Sequence, residues 1–472
     1  MSPLAALPLL ALLLLPGLLV VRAPWTAVPA LSLAFWALSA WWPPFATLGR
    51  GRLVAAALTA FVLLFLLRLL PKHEVPPPPG WTPPHAVAPP RPGLPPPPLA
   101  STASLLVLGA SLALLVPLVL WRHAPGPRLA FQTTIARLLV WRDAVPATAE
   151  PLLPLSPVGA HAPALATLAA DASRVSGLDP ARSVLLVVAL AAGLLLVGLF
   201  ALHATWAPPW AAALGALVGL AAAPWPGALG PWGEGEGLLA LGLTLPAASL
   251  IVGHSSRSSA LAAGMLLAAS ALAQPVLAAT VLATTVLVGR TVAAKLARRE
   301  SRLRPALSGA VAVVLAAPGL YPLLRSLSLR EAQGIAFSVR PHELLPFAFG
   351  LVLAAFAPLL FLRVRGSSPG GRVATALLAF VATILLVARV HGWIASGQLS
   401  VPVRSALARV AADTAPLASV CAPEGARDWV PALAERAAGE PGPWVPPVYA
   451  DEWAVRLRRR CDWRLEAFVP TS

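Results

Sequence analysis

Charged residues and cysteines are both scarce in this chain of 472 residues. Only 11% of the residues are charged and 58% are hydrophobic, whereas about 25% of an ordinary soluble domain is charged. The mean hydropathy of +0.77 therefore excludes a soluble globular protein and predicts an integral membrane protein. The two cysteines, Cys421 and Cys461, are too few for a disulfide scaffold or a zinc cluster. One bond between them is compatible with an oxidising side of a membrane.

Acidic residues are also few, since 19 Asp and Glu stand against 35 Lys and Arg. The resulting net charge of +16 could suggest nucleic acid, but the arginines lie at the ends of apolar runs. Cytoplasmic anchoring and contact with lipid phosphates explain that placement better. We expect no nucleic-acid partner.

The N-terminal segment 1–21 resembles the apolar core of a signal peptide. It does not begin with basic residues, and no small-x-small cleavage site follows it, so it is predicted to be retained as a membrane span.

Long apolar runs dominate the rest of the chain. Because a membrane-spanning helix needs about 20 apolar residues, we predict about twelve spans. They lie near residues 3–21, 25–43, 51–70, 102–121, 181–202, 207–223, 237–253, 258–274, 276–291, 305–321, 342–362 and 372–391.

Two basic stretches, 290–304 and 363–372, predict the orientation, since loops rich in Lys and Arg stay in the cytoplasm. This frame puts the segment 122–180, the loops around 224–236 and 322–341, and the tail from about 393 on the extracytoplasmic face. It leaves Arg50 and Arg52 on that face as well, although the rule expects basic residues in the cytoplasm. The predicted organisation is an N-terminal three-span segment (1–74), a Pro-rich linker (75–101), a transmembrane domain (102–392) and a C-terminal extracytoplasmic domain (393–472).

The segment 122–180 is predicted to contain two amphipathic helices. The first covers FQTTIARLLVWRD and the second covers APALATLAADASRVS. Both have an apolar face beside polar residues, so we expect them to lie along the membrane surface. Gly177 ends the second helix, and the following Leu-Asp-Pro is typical of the start of another helix.

A long external segment with two interfacial helices, a G-L-D-P entry into many spans and an external tail together resemble the GT-C superfamily of membrane glycosyltransferases. EPLLPLSPVGAHAPAL, the WGEGEG loop and AGMLLAASALAQP are similar to bacterial members, and the resemblance covers residues 102–472. It implies an all-α polytopic fold of GT-C type in the bacterial cytoplasmic membrane. It also implies transfer of a sugar from a polyprenyl-phosphate carrier to an acceptor on the extracytoplasmic face. The superfamily usually has an acid at the start of this segment, where the chain reads RHAPGPRLAFQ.

The missing acid keeps a second interpretation open, namely a non-catalytic scaffold or a flippase-like carrier for lipid-linked sugars. Transporters usually bury ionisable residues within their spans. The predicted spans contain almost none, which favours a site in the external segments.

Sugar transfer from a polyprenyl phosphate requires a carboxylate that accepts the proton of the acceptor hydroxyl. It also requires an arginine or a divalent cation that stabilises the departing phosphate. Asp143 and Glu150 are the predicted catalytic carboxylates, and Asp171 is a third acid of the segment. A solvated charge at a helix end is the alternative for all three, and a lipid anchor is the alternative for the arginines. The predicted substrate-binding residues are His161, Arg142, Arg325, Arg330, Arg340, Glu234 and Glu236, with metal ligands unassigned.

The tail combines aromatic rings with carboxylates, a combination that suits carbohydrate, although Trp also anchors domains at lipid headgroups. The aromatic rings of the tail are Trp429, Trp444, Tyr449, Trp453 and Trp463.

A Cys421–Cys461 bond would close a loop of about 40 residues and contribute about 3–4 kcal/mol to stability.

Overall fold

The structure, a computed structural model of the chain, consists mainly of helices in the part that it describes. That part comprises residues 3–19, 24–41, 49–69, 101–116, 120–143, 152, 164–222, 234–253, 257–274, 308–318, 354, 357–361, 369–416, 418–423, 426–438 and 462–464.

The α-helices follow one another along the chain, most of them apolar. They are α1 (Pro3–Leu19), α2 (Val28–Ser39), α3 (Arg50–Leu69), α4 (Thr102–Ala113), α5 (Pro127–Arg142), α6 (Ala164–Ser176), α7 (Pro180–His203), α8 (Pro209–Ala222), α9 (Glu234–Gly253), α10 (Arg257–Ala273), α11 (Pro358–Phe361), α12 (Pro369–Ser396) and α13 (Val401–Asp413).

Within the described residues, three helices are long and apolar enough to cross a membrane: Pro180–His203, Gly235–Gly253 and Val373–Ser396. Large apolar side chains of α12, such as Leu377 and Phe380, are exposed, as expected of a helix face that contacts lipid. The molecule is thus a helical membrane protein, and the count of about twelve spans stays a prediction. Shorter apolar helices cover Leu7–Leu19, Trp25–Ser39, Thr102–Ala113, Pro209–Ala222, Ser258–Ala273 and Ser308–Pro318, all within predicted spans.

One hydrophobic core joins these helices. Helix α7 is at its centre, buried along nearly its whole length, and packs against α9. The same core includes Leu12 of α1, Trp36 of α2 and Val54 of α3. The N-terminal helices therefore pack into the same body as the helices that follow residue 102, while the linker 75–101 lies outside the described residues.

Helices α5 and α6 pack against each other at the end of the bundle where α7 begins. Gly177 has a φ of 68°, a left-handed conformation that suits glycine after a helix end. Asp179 then accepts a hydrogen bond from the N–H of Ala181 at 2.8 Å, and Pro180 lies in the first turn of α7. The predicted helix end and helix entry are confirmed.

The surroundings of α6 differ from the expectation of a helix lying on the membrane surface. Its apolar residues and its polar ones, Asp171 included, are almost all buried. The reason is that α1, α2 and α3 contact α6 in addition to α5 and α7. Protein rather than lipid headgroup therefore surrounds this helix.

The tail forms a small unit with its own core. Three short parallel strands, β1 (Ser419–Cys421), β2 (Ala437–Ala438) and β3 (Trp463–Arg464), pair in the order β2-β1-β3. Apolar residues of α13 and of the π-helical turn Val430–Ala434 pack together with Ala130 of α5. Cys421 is disulfide-bonded, and the other cysteine of the chain, Cys461, lies outside the described residues.

Gly17 permits a close contact between α1 and α2. Its N–H donates to Ser32 Oγ at 2.9 Å, and a Cβ at this position would collide with the backbone of Val28. We expect Gly17→Ala to lower the free energy of unfolding by about 1–3 kcal/mol, because overpacked sites force backbone shifts. Gly109→Ala in α4 is the matched control, since nothing lies within 4 Å of its added methyl group.

We expect the control variant to be neutral or up to about 1 kcal/mol more stable, since Ala favours a helix over Gly. Unfolding by SDS in mixed micelles compares the two variants directly. Equal effects of the two substitutions would contradict the proposed α1–α2 contact.

Candidate functional site

The candidate site is the end of the bundle at which α5 and α6 meet the first turns of α7 and α9. Gly235, in the first turn of α9, lies so close to these helices that a Cβ would be 2.5 Å from Leu129 Cδ2 and 2.9 Å from Leu165 Cδ1. Two regions that the sequence predicts on one face, 122–180 and the start of α9, are therefore in contact. We call this region the polar end of the bundle.

Glu236 lies inside the protein between α5 and α9. Its Oε1 accepts a hydrogen bond from Gln132 Nε2 at 2.5 Å, and both side chains are almost completely buried. A carboxylate in the first turn of a helix is favoured by the positive end of the helix dipole. This predicted substrate-binding residue thus faces α5, and the side chain of Glu234 lies outside the described residues.

Asp143 is the predicted catalytic carboxylate that the structure describes. It follows α5 with a φ of 52°, and its carbonyl oxygen accepts the N–H of Arg50 at 2.7 Å. Its Oδ1 accepts the N–H of Gly51 at 2.6 Å and lies 3.3 Å from Arg174 Nη2. The side chain remains 42% exposed. Asp143 therefore caps the N-terminus of α3 and still presents a carboxylate at the surface.

Asp171 is a buried ion-pair partner, which corrects the expectation of a solvated charge. Its carboxylate is completely buried and receives two bonds from Arg50, at 3.0 Å from Nε and 2.6 Å from Nη2. The Arg50 guanidinium also donates to Ser39 Oγ and to the carbonyl of Trp36. All three nitrogen atoms of the Arg50 guanidinium donate hydrogen bonds, so this residue holds α2, α3 and α6 together.

Arg174 connects the two carboxylates, since its Nη1 lies 3.3 Å from Asp171 Oδ1 and its Nη2 lies 3.3 Å from Asp143 Oδ1. Burial lowers the pKa of the Arg174 guanidinium, and the charges of Asp171 and Asp143 oppose that shift. An arginine starts from so high a pKa that it stays protonated. A positive charge is thus fixed beside the half-exposed Asp143.

Arg137 joins the tail unit to the polar end of the bundle. Its guanidinium pairs with Asp179 at 3.0 Å and with Glu435, and Nε donates to the carbonyl of Ala432 at 3.1 Å. Neither Arg137, Arg50 nor Gln132 was expected at the site. Their carboxylate partners are 42 to 298 residues away in sequence, so no local pattern indicates them.

The other predicted site residues are placed as follows. Arg142, at the end of α5, has an exposed side chain. No group of three or more His, Cys, Asp or Glu that could hold a metal occurs among the residues that the structure describes. Those predicted site residues that lie outside the described part are Glu150, His161, Arg325, Arg330 and Arg340.

No family model and no curated protein matches the chain. A solved structure that is similar is the archaeal oligosaccharyltransferase AglB from Archaeoglobus fulgidus, in complex with an inhibitory peptide and a dolichol-phosphate. The two sequences are 13% identical, the match covers 75% of this chain and 68% of that chain, and the TM-score is 0.43. No family is assigned to the chain on this likeness.

Proposed function

We propose that the protein is a membrane glycosyltransferase-like enzyme. It transfers a sugar from a polyprenyl-phosphate carrier to an acceptor on the extracytoplasmic face of the bacterial cytoplasmic membrane. The observation that carries the proposal is the setting of Asp143, a half-exposed carboxylate at the end of an apolar bundle. Arg174 lies 3.3 Å from it, and Arg142 precedes it in the chain. A general base and a cationic group for a phosphate are therefore adjacent.

The apolar bundle supports the choice of a lipid-linked substrate. Leu377 and Phe380 on α12, and Leu63 on α3, expose their side chains, so an isoprenoid tail can lie along these helices within the membrane. The phosphate of the carrier would then emerge at the polar end of the bundle. That depth suits a reaction between a lipid-borne sugar and an external acceptor.

In this proposal Asp143 or Glu150 accepts the proton of the acceptor hydroxyl. The hydroxyl oxygen bonds to the sugar carbon with inversion, as the GT-C resemblance implies, and the bond from that carbon to the phosphate oxygen breaks. Arg142 and the loop arginines stabilise the departing phosphate, while His161 and Glu234 contact the sugar or the acceptor. Glu236, buried against Gln132, instead holds the start of α9 on α5. The loop arginines are Arg325, Arg330 and Arg340. A divalent cation that stabilises the departing phosphate in place of an arginine stays a prediction.

A second candidate function is a non-catalytic scaffold or a flippase-like carrier. The observation that favours it is the capping of α3 by Asp143, because the bonds to Arg50 N and Gly51 N give that residue a structural role.

Purified full-length protein in proteoliposomes decides between the two functions. The test supplies radiolabelled polyprenyl-phosphate-linked mannose, glucose, galactose or arabinose together with an envelope fraction as acceptor. We expect protein-dependent movement of label from the lipid phase to the acceptor with one of these donors. Movement of intact labelled lipid across the bilayer without transfer would instead support the carrier, and neither activity would support the scaffold.

A further inference from the structure

Arg52 is a basic residue of α3 whose positive charge the fold does not neutralise. Arg50, two residues earlier, is buried in its ion pair with Asp171. The side chain of Arg52 is exposed, and no residue that the structure describes forms a hydrogen bond or an ion pair with it. Extracytoplasmic loops are usually poor in arginine. Burial explains the exception at Arg50, whereas Arg52 keeps a charge that can attract an anion.

A second exposed arginine lies near Arg52. The N–H of Gly51 donates to Asp143 Oδ1 at 2.6 Å, and Arg52 and Arg142 are each next in sequence to one of these two residues. Because consecutive Cα atoms are about 3.8 Å apart, the Cα atoms of the two arginines are within roughly 15 Å of each other. Their long side chains can therefore reach one phosphate group.

The charge around Asp143 is positive in the part of the chain that the structure describes. Two carboxylates oppose four guanidinium groups that bond to them or adjoin them in sequence, which leaves two positive charges. An anion with one or two charges, such as a phosphate ester, therefore matches this region, and a cation is disfavoured. The six residues are Asp143, Asp171, Arg50, Arg52, Arg142 and Arg174.

The exposed ring of Trp141 places this region at the membrane surface. Its side chain is 48% exposed, and it immediately precedes Arg142 at the end of α5. Tryptophan is enriched at the level of the lipid headgroups. The anion that meets Arg52 and Arg142 is therefore expected at the depth of a lipid phosphate.

An apolar strip follows Arg52 along the exposed side of α3. Steps of three and four residues keep its members on one side of a helix. The hydroxyl of Thr59 donates to the carbonyl of Ala55 at 2.9 Å, so it is satisfied within the helix. The strip runs for about 14 Å at 1.5 Å per residue. We call it the α3 strip; it consists of Ala55, Ala56, Thr59, Ala60, Leu63 and Leu64.

Helix α12 also has an exposed apolar side, but its arginine is engaged differently. Arg389 donates from Nη1 to the carbonyl of Ala221 at 2.9 Å, at the end of α8. Only on α3, among the described helices with an exposed apolar side, does such a side begin beside Asp143. A lipid on this helix would have its phosphate at the candidate site.

We propose that Arg52, together with Arg142, binds the phosphate of the polyprenyl carrier, and that the first isoprenoid units of the carrier lie on the α3 strip. The inference rests on the proposed function and deepens it, because it assigns α3 rather than α12 to the carrier. It also holds the phosphate beside Asp143. Helix α3 precedes residues 102–472, the part that resembles the GT-C superfamily, so the assignment does not follow from that resemblance.

Native mass spectrometry of the full-length protein tests the proposal, because the mass identifies each bound lipid. The probes are undecaprenyl phosphate and phosphatidylglycerol, offered alone and in equal amounts. The variants are Arg52→Met and Arg142→Met. Arg122→Met is the matched control, since Arg122 is also exposed and follows a tryptophan, Trp121, but does not adjoin α3 or Asp143.

We expect one undecaprenyl phosphate per protein, bound in preference to phosphatidylglycerol. Its affinity should fall by about 3-fold to 10-fold in Arg52→Met and in Arg142→Met, the effect of one arginine near a lipid phosphate. Arg122→Met should bind as the wild type does. Equal losses in Arg52→Met and Arg122→Met, or no loss in Arg52→Met, would overturn the proposal. Equal binding of phosphatidylglycerol would overturn it in favour of a general headgroup contact, and failure of undecaprenyl phosphate to bind would overturn it outright.

The position of the tail is tested separately. Undecaprenyl phosphate with a photoreactive diazirine in its first isoprenoid units is cross-linked to the protein, and the labelled peptides are identified. We expect label within residues 55–64 that unlabelled undecaprenyl phosphate displaces and that Arg52→Met reduces. Displaceable label on α12 instead of α3 would overturn the assignment of the tail.

These measurements separate the inference from the proposed function, since none of them requires sugar transfer. Arg52-dependent binding in a protein that transfers no sugar would overturn the transferase and leave the lipid site standing. Sugar transfer with an unchanged KM for the lipid-linked donor in Arg52→Met would overturn the lipid site and leave the transferase standing.

Discussion

Asp143→Asn is expected to reduce sugar transfer by about 10²-fold to 10⁴-fold, the contribution of a general base, if Asp143 is the base. The fold should be unaffected, because Asn keeps the oxygen that accepts the Gly51 N–H and tolerates the left-handed conformation of residue 143. Glu150→Gln is the parallel variant if the second carboxylate has that role. Transfer from a polyprenyl-phosphate-linked sugar in proteoliposomes measures both.

Asp143→Ala separates the catalytic role of Asp143 from its structural one. Alanine removes the bond to the Gly51 N–H as well as the charge, and loss of a helix cap typically lowers stability by about 1 kcal/mol. A structural role alone predicts an active Asp143→Asn protein and a destabilised Asp143→Ala protein. Full transfer activity in Asp143→Asn, in Glu150→Gln and in the double variant would contradict the catalytic assignment.

Arg50→Met is expected to lower the free energy of unfolding by about 3–5 kcal/mol, since removal of one partner leaves a buried charge without compensation. Asp171 is completely buried, and its remaining pairing with Arg174 is longer, at 3.3 Å. Ser39 Oγ and the carbonyl of Trp36 lose a donor as well. Unfolding by SDS in mixed micelles measures the change.

Two variants provide controls for this effect. Arg52→Met changes the same residue type on the same helix at an exposed position, where a substitution typically changes stability by about 0.5 kcal/mol or less. The double variant Arg50→Met with Asp171→Leu removes both charges and should recover a large part of the loss, because apolar pairs can replace buried ion pairs. A loss no larger in Arg50→Met than in Arg52→Met would contradict the ion-pair assignment.

Local features of the fold could be predicted from the sequence. Runs of apolar residues located the helices, since each run depends only on its own composition and length. The junction at Gly177 and Pro180 was equally accessible, because a helix end and a helix start each have local residue preferences. Residues 122–180 and the start of α9 were predicted on one face by counting alternating spans, and Gly235 is in contact with both α5 and α6.

Long-range pairs could not be predicted. Arg50 stood out only as an exception to the charge rule for cytoplasmic loops, and Asp171 looked like a solvated acid near a helix end. Their ion pair explains both observations, since Arg50 is neutralised inside the protein instead of anchoring a cytoplasmic loop. Helix α6 has the polar and apolar faces of a surface helix. The partners of its Asp171 and Arg174, however, are Arg50 of α3 and Asp143 at the end of α5, and no periodicity of α6 itself indicates them.

The separation of Arg50 from Asp171 also has a consequence for biosynthesis. The two residues are 121 positions apart, so at typical elongation rates the ribosome completes Asp171 roughly 6 to 24 s after Arg50. During that interval α3 has a guanidinium at its end without its later carboxylate partner. The N-terminal helices can therefore enter the membrane early but reach their final packing only after α6 has been synthesised. A chain that ends within residues 75–101 lacks Asp171 and therefore leaves the Arg50 guanidinium without this carboxylate.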